Sequence, residues 1–552
     1  MSDLAVLIDA FLANEYETSP VTASSLGLTD FDERLDDLTA DAFIKRDADA
    51  ADFLARFEAL GDDGLTFDER IDRDLAIAML RGRVIQADWQ AWKRDPLAYS
   101  APILGGLFNL FLHRLRPDGD LVDAAVARLE QAPRALEQGR ANLDPALAHP
   151  IIVERGLGSA RGGARYVREL LAEESETDGG RQRLREAGAV AGAAFDAWAG
   201  HLEGLLPQCH GEWRWGEERY SRMLRERESL DHDARSLREL GRAEYDRLDA
   251  EMRVLCRDIR GTDDWRAVLE QANEDHPPTE GEMRRAYAEW TERARDFLGQ
   301  TGLVSLPDGE SCNVVPSPVY QRPVLGVAFY IAPPAFADRL TGNFFVPYAP
   351  DGTPAEEIQQ RLASNSYGSI PTTAVHEAYP GHHWHLSWSK LHGSPIRRVL
   401  GTPYFNEGWA LYSERVMREH GFFTDPLQEL YHLEATIFRA ARIVVDTSLH
   451  LGEMSYDEAV AHMTTKVALS EPTARAEVGR YCWWPTQASS YLTGCLEILR
   501  IRDRYLAARG LAGTPAKAVD AGVLRDFHDR LAGSGRLPLG LAERAVMEGV
   551  AS

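Results

Sequence analysis

His376-Glu377-Ala378-Tyr379-Pro380-Gly381-His382-His383-Trp384-His385 is the stretch of this chain whose residue types could do chemistry. A histidine followed by glutamate, with further histidines close by, is the set from which proteins build a water-activating zinc site. Two histidines four positions apart on a helix share one face, but position 380 is proline. The next histidines stand six and seven positions after His376. In an unbroken helix six residues span ~9 Å along the axis, too far for two ~2 Å bonds to one ion. Pro380 removes an amide donor and Gly381 permits a bulged backbone, so the helix is expected to be interrupted there. Looping out two residues brings His382 to the phase and height of the missing fourth-position histidine and turns His383 about 100° away. His376 and His382 are then the expected ligands, and His383 and His385 are neighbours or packing groups.

Phe405-Asn406-Glu407-Gly408-Trp409-Ala410-Leu411-Tyr412-Ser413-Glu414 follows, with the apolar spacing of a packed helix. Glu407 is the expected third ligand, and Glu414 lies two turns on along the same face. Two neutral imidazoles and one carboxylate leave a Zn²⁺ site net positive, with a position open for water of pKa near ~7. Glu377 is the candidate general base. A lone His-Glu pair carries no such meaning, and Asn-Glu-Gly-Trp alone also reads as a helix start.

The two blocks resemble the bacterial "domain of unknown function 885" proteins, which are similar to zinc metallopeptidases. The hallmark His-Glu-x-x-Pro-Gly-His is met by His376, Glu377, Pro380, Gly381 and His382, and Glu-Gly-Trp-Ala-x-Tyr-x-Glu by Glu407 to Glu414. The second block also resembles the Asn-Glu-Gly-Phe-Ala segment of zinc aminopeptidases, whose glutamate is a ligand. Further matches are Arg439-x-x-Arg442-x-x-x-Asp446-Thr-Ser-Leu-His450 and Arg480-Tyr481-x-x-x-Pro485-x-Gln487-x-x-x-Tyr491-x-x-Gly494, and weaker similarity around Leu65 to Leu75 and Leu237 to Met252 extends the likeness over nearly the whole chain. Ser448 and Thr486 depart from it, because the family usually has glycine at both places. The resemblance implies Zn²⁺ as cofactor and a mainly α fold, a large helical body with a deep cleft and a small β element, as in helical zinc oligopeptidases. It also implies an edge strand that binds extended substrate beside the metal helix. Val324 to Ile331 is the candidate, with Tyr330 as a substrate contact.

Arg442 and Arg480 are candidates for binding a substrate carboxylate, whereas Arg439 reads as paired with a structural acid. Tyr491 or Tyr481 could donate to the oxyanion of a tetrahedral intermediate. Tyr481 is also a substrate-binding candidate. His450 is either a second oxyanion donor or a satisfied core residue.

The elements that must position these groups are mostly helices. Thr66-Phe-Asp-Glu69 and Ser455-Tyr-Asp-Glu458 are capping boxes. Leu237, Leu240, Tyr245, Leu248 and Met252 recur as one buried helix face. Breaks are expected near 144–163, 173–180, 276–281 and 306–323. Val324 to Ile331 and Asn343 to Val346 are short and apolar, and read as a small β element or as a buried loop. The expected organisation is an N-terminal helical region, 1–300, and a metal-site region, 301–552, forming one continuous unit around a cleft.

Composition bounds the function classes. The chain has 552 residues, 44% hydrophobic and 27% charged, with a formal net charge of −25. Such a surface repels nucleic acid and anionic membranes. The N-terminus lacks a positive segment ahead of its apolar run, which Asp9 interrupts, so no signal peptide is expected. Five scattered cysteines without CxxC spacing read as reduced thiols in a cytoplasmic protein. The expected function is a zinc-dependent hydrolase, a peptidase or amidase. The alternatives are a metal enzyme acting on a small non-peptide molecule in a biosynthetic pathway and a non-catalytic binding protein. Oligomeric state is not encoded in these patterns.

Overall fold

The computed structural model describes residues 2–319, 322, 326–350 and 352–550. The chain is mainly helical, with one small three-stranded sheet. It divides into two compact units, Met1–Arg214 with Pro334–Asp338, and Trp215–Pro333 with Arg339–Ser552.

In the first unit, helix α1 (Phe67–Ala87) starts where the capping box places it. The Thr66 hydroxyl accepts the Glu69 amide at 3.2 Å, and the Glu69 carboxylate accepts the Thr66 amide at 2.9 Å. Ile71 and Leu75 are fully buried behind it. The break expected over 144–163 is instead largely helix α2 (Pro150–Arg165). Pro150 occupies its first turn, where a missing amide costs nothing and the fixed φ favours helix. The His149 ring caps the start by accepting the Ile151 amide.

The second unit carries the site. Helix α3 (Ala234–Arg260) is followed by strands β1 (Ser311–Pro316), β2 (Phe329–Ile331) and β3 (Thr341–Val346). Then come helices α4 (Ile370–Glu377), α5 (His382–Leu391), α6 (Pro403–Glu419), α7 (Pro426–His450), α8 (Glu471–Trp483) and α9 (Ser490–Ala508). The sheet order is β1-β3-β2. Strand β1 runs parallel to β3 and β2 antiparallel, with Val314 and Tyr330 both opposite Phe344. The apolar run Asn343 to Val346 lies in β3. Of Val324 to Ile331 only Phe329–Ile331 is strand, and Val324 and Leu325 lie outside the described residues. Strand β1 falls inside a segment expected to be a break. Its partner lies some thirty residues on, so its own half-polar sequence gives little local signal.

Helix α3 packs along α7 with Leu237, Leu248 and Met252 buried. Helices α6 and α9 pack against each other. A Cβ on Gly494 would come within 2.1 Å of the Tyr404 carbonyl oxygen, and one on Gly408 within 2.6 Å of the Gly494 backbone. The backbones touch there because neither residue carries a side chain. No helix among the described residues is long and apolar enough to cross a membrane.

Candidate metal centre

The interruption between α4 and α5 has the form expected of two extra residues. Ala378 still donates to Ala374 at 2.9 Å, the ordinary four-residue step. Gly381 then donates to Val375 at 3.1 Å and Trp384 to Ala378 at 3.2 Å, each spanning six residues instead of four. The regular step resumes with His385 donating to Gly381. A Cβ on Gly381 would lie 1.9 Å from the His376 carbonyl oxygen, so only glycine fits this bend. The Trp409 indole, from α6, donates to the Pro380 carbonyl at 2.7 Å. A bulge carbonyl freed from the helix thereby finds a partner.

Across this bend the donor atoms of His376, His382 and Glu407 all lie within 4.8 Å of one another. A Glu407 carboxylate oxygen is 3.7 Å from His376 Nε2 and 3.4 Å from His382 Nε2. Two donors at ~2.1 Å from a tetrahedral ion stand about 3.4 Å apart, so the separations fit a zinc-class cation. Behind the ligands, His376 Nδ1 is 2.7 Å from Glu414, whose other oxygen is 3.3 Å from His432 Nδ1. Such a carboxylate fixes the tautomer that leaves Nε2 free to ligate. The electrostatics fit as well. Burial opposes a charge on His376, but the facing Glu407 carboxylate and the hydrogen bond to Glu414 overcome this and push its pKa up to about 10. Burial likewise opposes charge on Glu414, yet its hydrogen bonds to His376 and His432 lower its pKa to about 2. A proton on His376 supplies positive charge where a cation would supply more.

The donors open onto a cavity of about 570 Å³ whose walls include Glu377, Tyr330, Tyr491, Glu434, Arg439 and Arg442. Burial raises the pKa of Glu377 above the usual carboxylate range, as it does for Glu434. Tyr330 reaches the wall from β2, and its hydroxyl meets His383 Nδ1 at 2.9 Å. The other nitrogen of His383 is 2.7 Å from Glu310, which also binds Arg295 and the Tyr379 hydroxyl. His383 is thus occupied away from the donor cluster.

Three substrate-binding candidates converge instead on an acid that sequence reasoning missed. Glu477 is 2.8 Å from Arg442 and 3.0 Å from Arg480, and it accepts the Tyr481 hydroxyl at 2.7 Å. Arg480 also donates to the Gln487 side-chain oxygen. Arg480 and Tyr481 are absent from the cavity wall, and Arg442 reaches it with its charge already met. The signal was present, since Glu477, Arg480 and Tyr481 are three and four positions apart on α8. His450 also sits apart from the wall. Its Nδ1 accepts the Trp215 amide at 3.2 Å and its Nε2 is 3.1 Å from the Tyr481 carbonyl, which is the core alternative for this residue. Arg439, expected to pair with an acid, does line the cavity, and no acid lies within ion-pair distance of it among the described residues. Nothing in the structure explains Ser448. Thr486 holds φ +72°, the left-handed region that glycine adopts without cost, so the backbone here suits the glycine that the family resemblance implies.

The sequence model of a bacterial protein family of unknown function, DUF885, matches residues 20–546. No curated protein matches the chain. A solved structure from Shewanella oneidensis, titled a "putative lipoprotein of unknown function", is similar over 99% of both chains, with 21% identity and a TM-score of 0.79. A "putative lipoprotein" from Colwellia psychrerythraea is similar over 99% of this chain and 98% of that one, with 17% identity and a TM-score of 0.74. At such identities the likeness is one of fold.

Proposed function

The chain belongs to the DUF885 family of bacterial proteins of unknown function, and within it we propose a zinc-dependent hydrolase of the peptidase or amidase type. The observation that carries this reading is the cluster of His376, His382 and Glu407 beside buried Glu377, all facing one cavity. A divalent zinc-class cation held there supplies Lewis acidity, which acidifies water and polarises a carbonyl.

The chain's own residues do the rest. Glu414 holds the proton on His376 Nδ1 and keeps Nε2 turned toward Glu407. Glu377 takes a proton from water on a carboxylate oxygen and returns it to the leaving nitrogen. Burial raises its pKa, which favours the protonated form that makes that return. Tyr491, in the wall, donates its hydroxyl to the developing oxyanion. Strand β2 pairs only with β3 among the described strands, and Phe329 and Tyr330 from it line the cavity. A substrate lying extended along β2, as in the helical zinc oligopeptidases this family resembles, would use that edge. The working compartment in this reading is the cytoplasm. A cavity of about 570 Å³ also suits a small non-peptide amide or ester, which is the competing reading. A binding protein would have no use for Glu377.

The reading predicts about one zinc per chain and chelator-sensitive hydrolysis of short peptides. Glu377→Gln should keep the metal and lose turnover ~10²–10⁴-fold. Elemental analysis and single-turnover assays check both. Zinc far below stoichiometry with no other transition metal, or normal turnover in Glu377→Gln, would remove the hydrolase reading. Hydrolysis of a small-molecule amide or ester with no peptide cut would favour the competing one.

A further inference from the structure

Three arginines lie near the cavity, and they differ in what already holds them. Arg442 and Arg480 share Glu477. Among the described residues Arg439 makes one hydrogen bond, from Nη1 to the Ala435 carbonyl one turn back at 2.8 Å. Its Nε is enclosed without a partner. Its guanidinium is wedged between aromatic rings, 5.6 Å from the Phe438 centroid and 5.8 Å from that of Tyr491. A permanent cation so placed has a fixed orientation and an unused hydrogen-bonding fork.

Its position on α7 sets what it could reach. His432, on the same helix, touches Glu414 behind the donor cluster. Arg439 comes seven residues later, two turns along the same face, or ~10.5 Å along the axis. The side chain can shorten that offset. The remainder matches one or two residues of extended substrate at ~3.3 Å each. The wall between holds Glu377 and Glu434, whose ionised forms burial disfavours and the Arg439 charge partly restores.

We infer that Arg439 receives the carboxylate of the substrate, so that the site takes free-acid peptides and N-acylamino acids, cut one or two residues from that end. This rests on the hydrolase reading above and assigns the substrate class and the direction of cleavage. Glu434, in the same wall, would repel a carboxylate placed against it. The carboxylate is therefore confined to the Arg439 side.

The test uses full-length, zinc-replete protein and a defined set of N-acetylated tetrapeptides, each made as free acid and as carboxamide. Digests are read by mass spectrometry, and bound zinc is measured for every variant. Binding of both forms to Glu377→Gln is followed by calorimetry, a readout independent of turnover. The wild type should prefer the free acid by about 10- to 100-fold in kcat/KM, mainly through KM, the range of one charged hydrogen-bonded contact. Arg439→Ala should erase that preference, whatever it does to both forms in common, while leaving the zinc content in place. Arg439→Lys, which keeps the charge and loses the fork, should restore part of it, and with Arg439→Gln carries the same test if the alanine variant does not fold. A purely structural arginine would change both peptide forms alike. Equal cleavage of acid and carboxamide by the wild type, or an acid preference that survives in Arg439→Ala, overturns the inference and leaves the hydrolase reading standing. Full zinc with neither form bound or cut overturns the peptidase reading and this inference with it.

Discussion

Two buried clusters of charge lie on neighbouring helices of the second unit, and they are finished to different degrees. Around Glu477 every charge has a mate. Two guanidiniums and a phenol converge on one carboxylate, whose pKa they pull down against the burial that raises it. Around Glu407 the charges face each other at 3.4 and 3.7 Å, longer than hydrogen bonds, with a common point between them. The first arrangement is closed and serves the fold. The second is held open, with Glu414 and Trp409 fixing its parts from outside. Sequence pattern alone does not separate the two, since Glu407 and Glu414 on α6 and Glu477, Arg480 and Tyr481 on α8 all stand at helical spacings. What separates them is whether the partners use up one another's capacity.

The comparison breaks most visibly at the metal cluster. His382→Ala should take bound zinc from about one ion per chain to none surviving dialysis, whereas His383→Ala should retain it and at most slow turnover. Elemental analysis of both variants decides this, and metal kept by the first but lost by the second would discard the two-residue bulge. At the closed cluster the effect should fall on stability instead. Glu477→Ala leaves Arg442 and Arg480 without their carboxylate and should cost about 2–3 kcal/mol. This is somewhat below the ~3–5 kcal/mol of a fully buried pair, because Glu477 keeps some solvent contact. Denaturant melts read the loss, and zinc content should not change. If zinc falls with it, the two clusters are not independent. The smallest effect concerns the turn between α8 and α9, beside the closed cluster. Thr486→Gly relieves a β-branched residue at φ +72° and should add about 1 kcal/mol of stability. An unchanged or lower midpoint would mean that the threonine side chain contributes more than the backbone strain removes.

Much of this was legible in the sequence where the cause is local. The capping boxes at Thr66 and Ser455 form as their spacing predicts. The place of the helix interruption follows from Pro380 and Gly381 alone. Strand β1 was not legible, because its pairing with β3 is made across a long loop. The break expected over 144–163 contains Pro150, and proline in the first turn favours a helix start. The roles of the arginines were the least legible. Arg439, Arg442 and Arg480 are equivalent as letters, and only the placement of Glu477 on α8 decides which are engaged. Glu310 was missed for the same reason. It meets His383 from a loop just before β1, with no spacing to announce it.

The contact of Gly408 with Gly494 has a consequence for how such a site can change over time. Glu407 is next to one of these glycines and Tyr491 is three residues from the other. Their separation is therefore set by backbone lying directly on backbone, the thinnest joint a protein can make. Side chains meet elsewhere along the two helices, as in the Arg502–Glu419 ion pair at 2.8 Å, but at this joint only a Cβ on one of the glycines would push the helices apart. Residues along the wall, such as Thr372, Phe438 or Ala435, can then be exchanged freely while the frame between acid and phenol keeps its dimensions. A lineage built on this joint can diversify what it accepts without having to rediscover how to act on it.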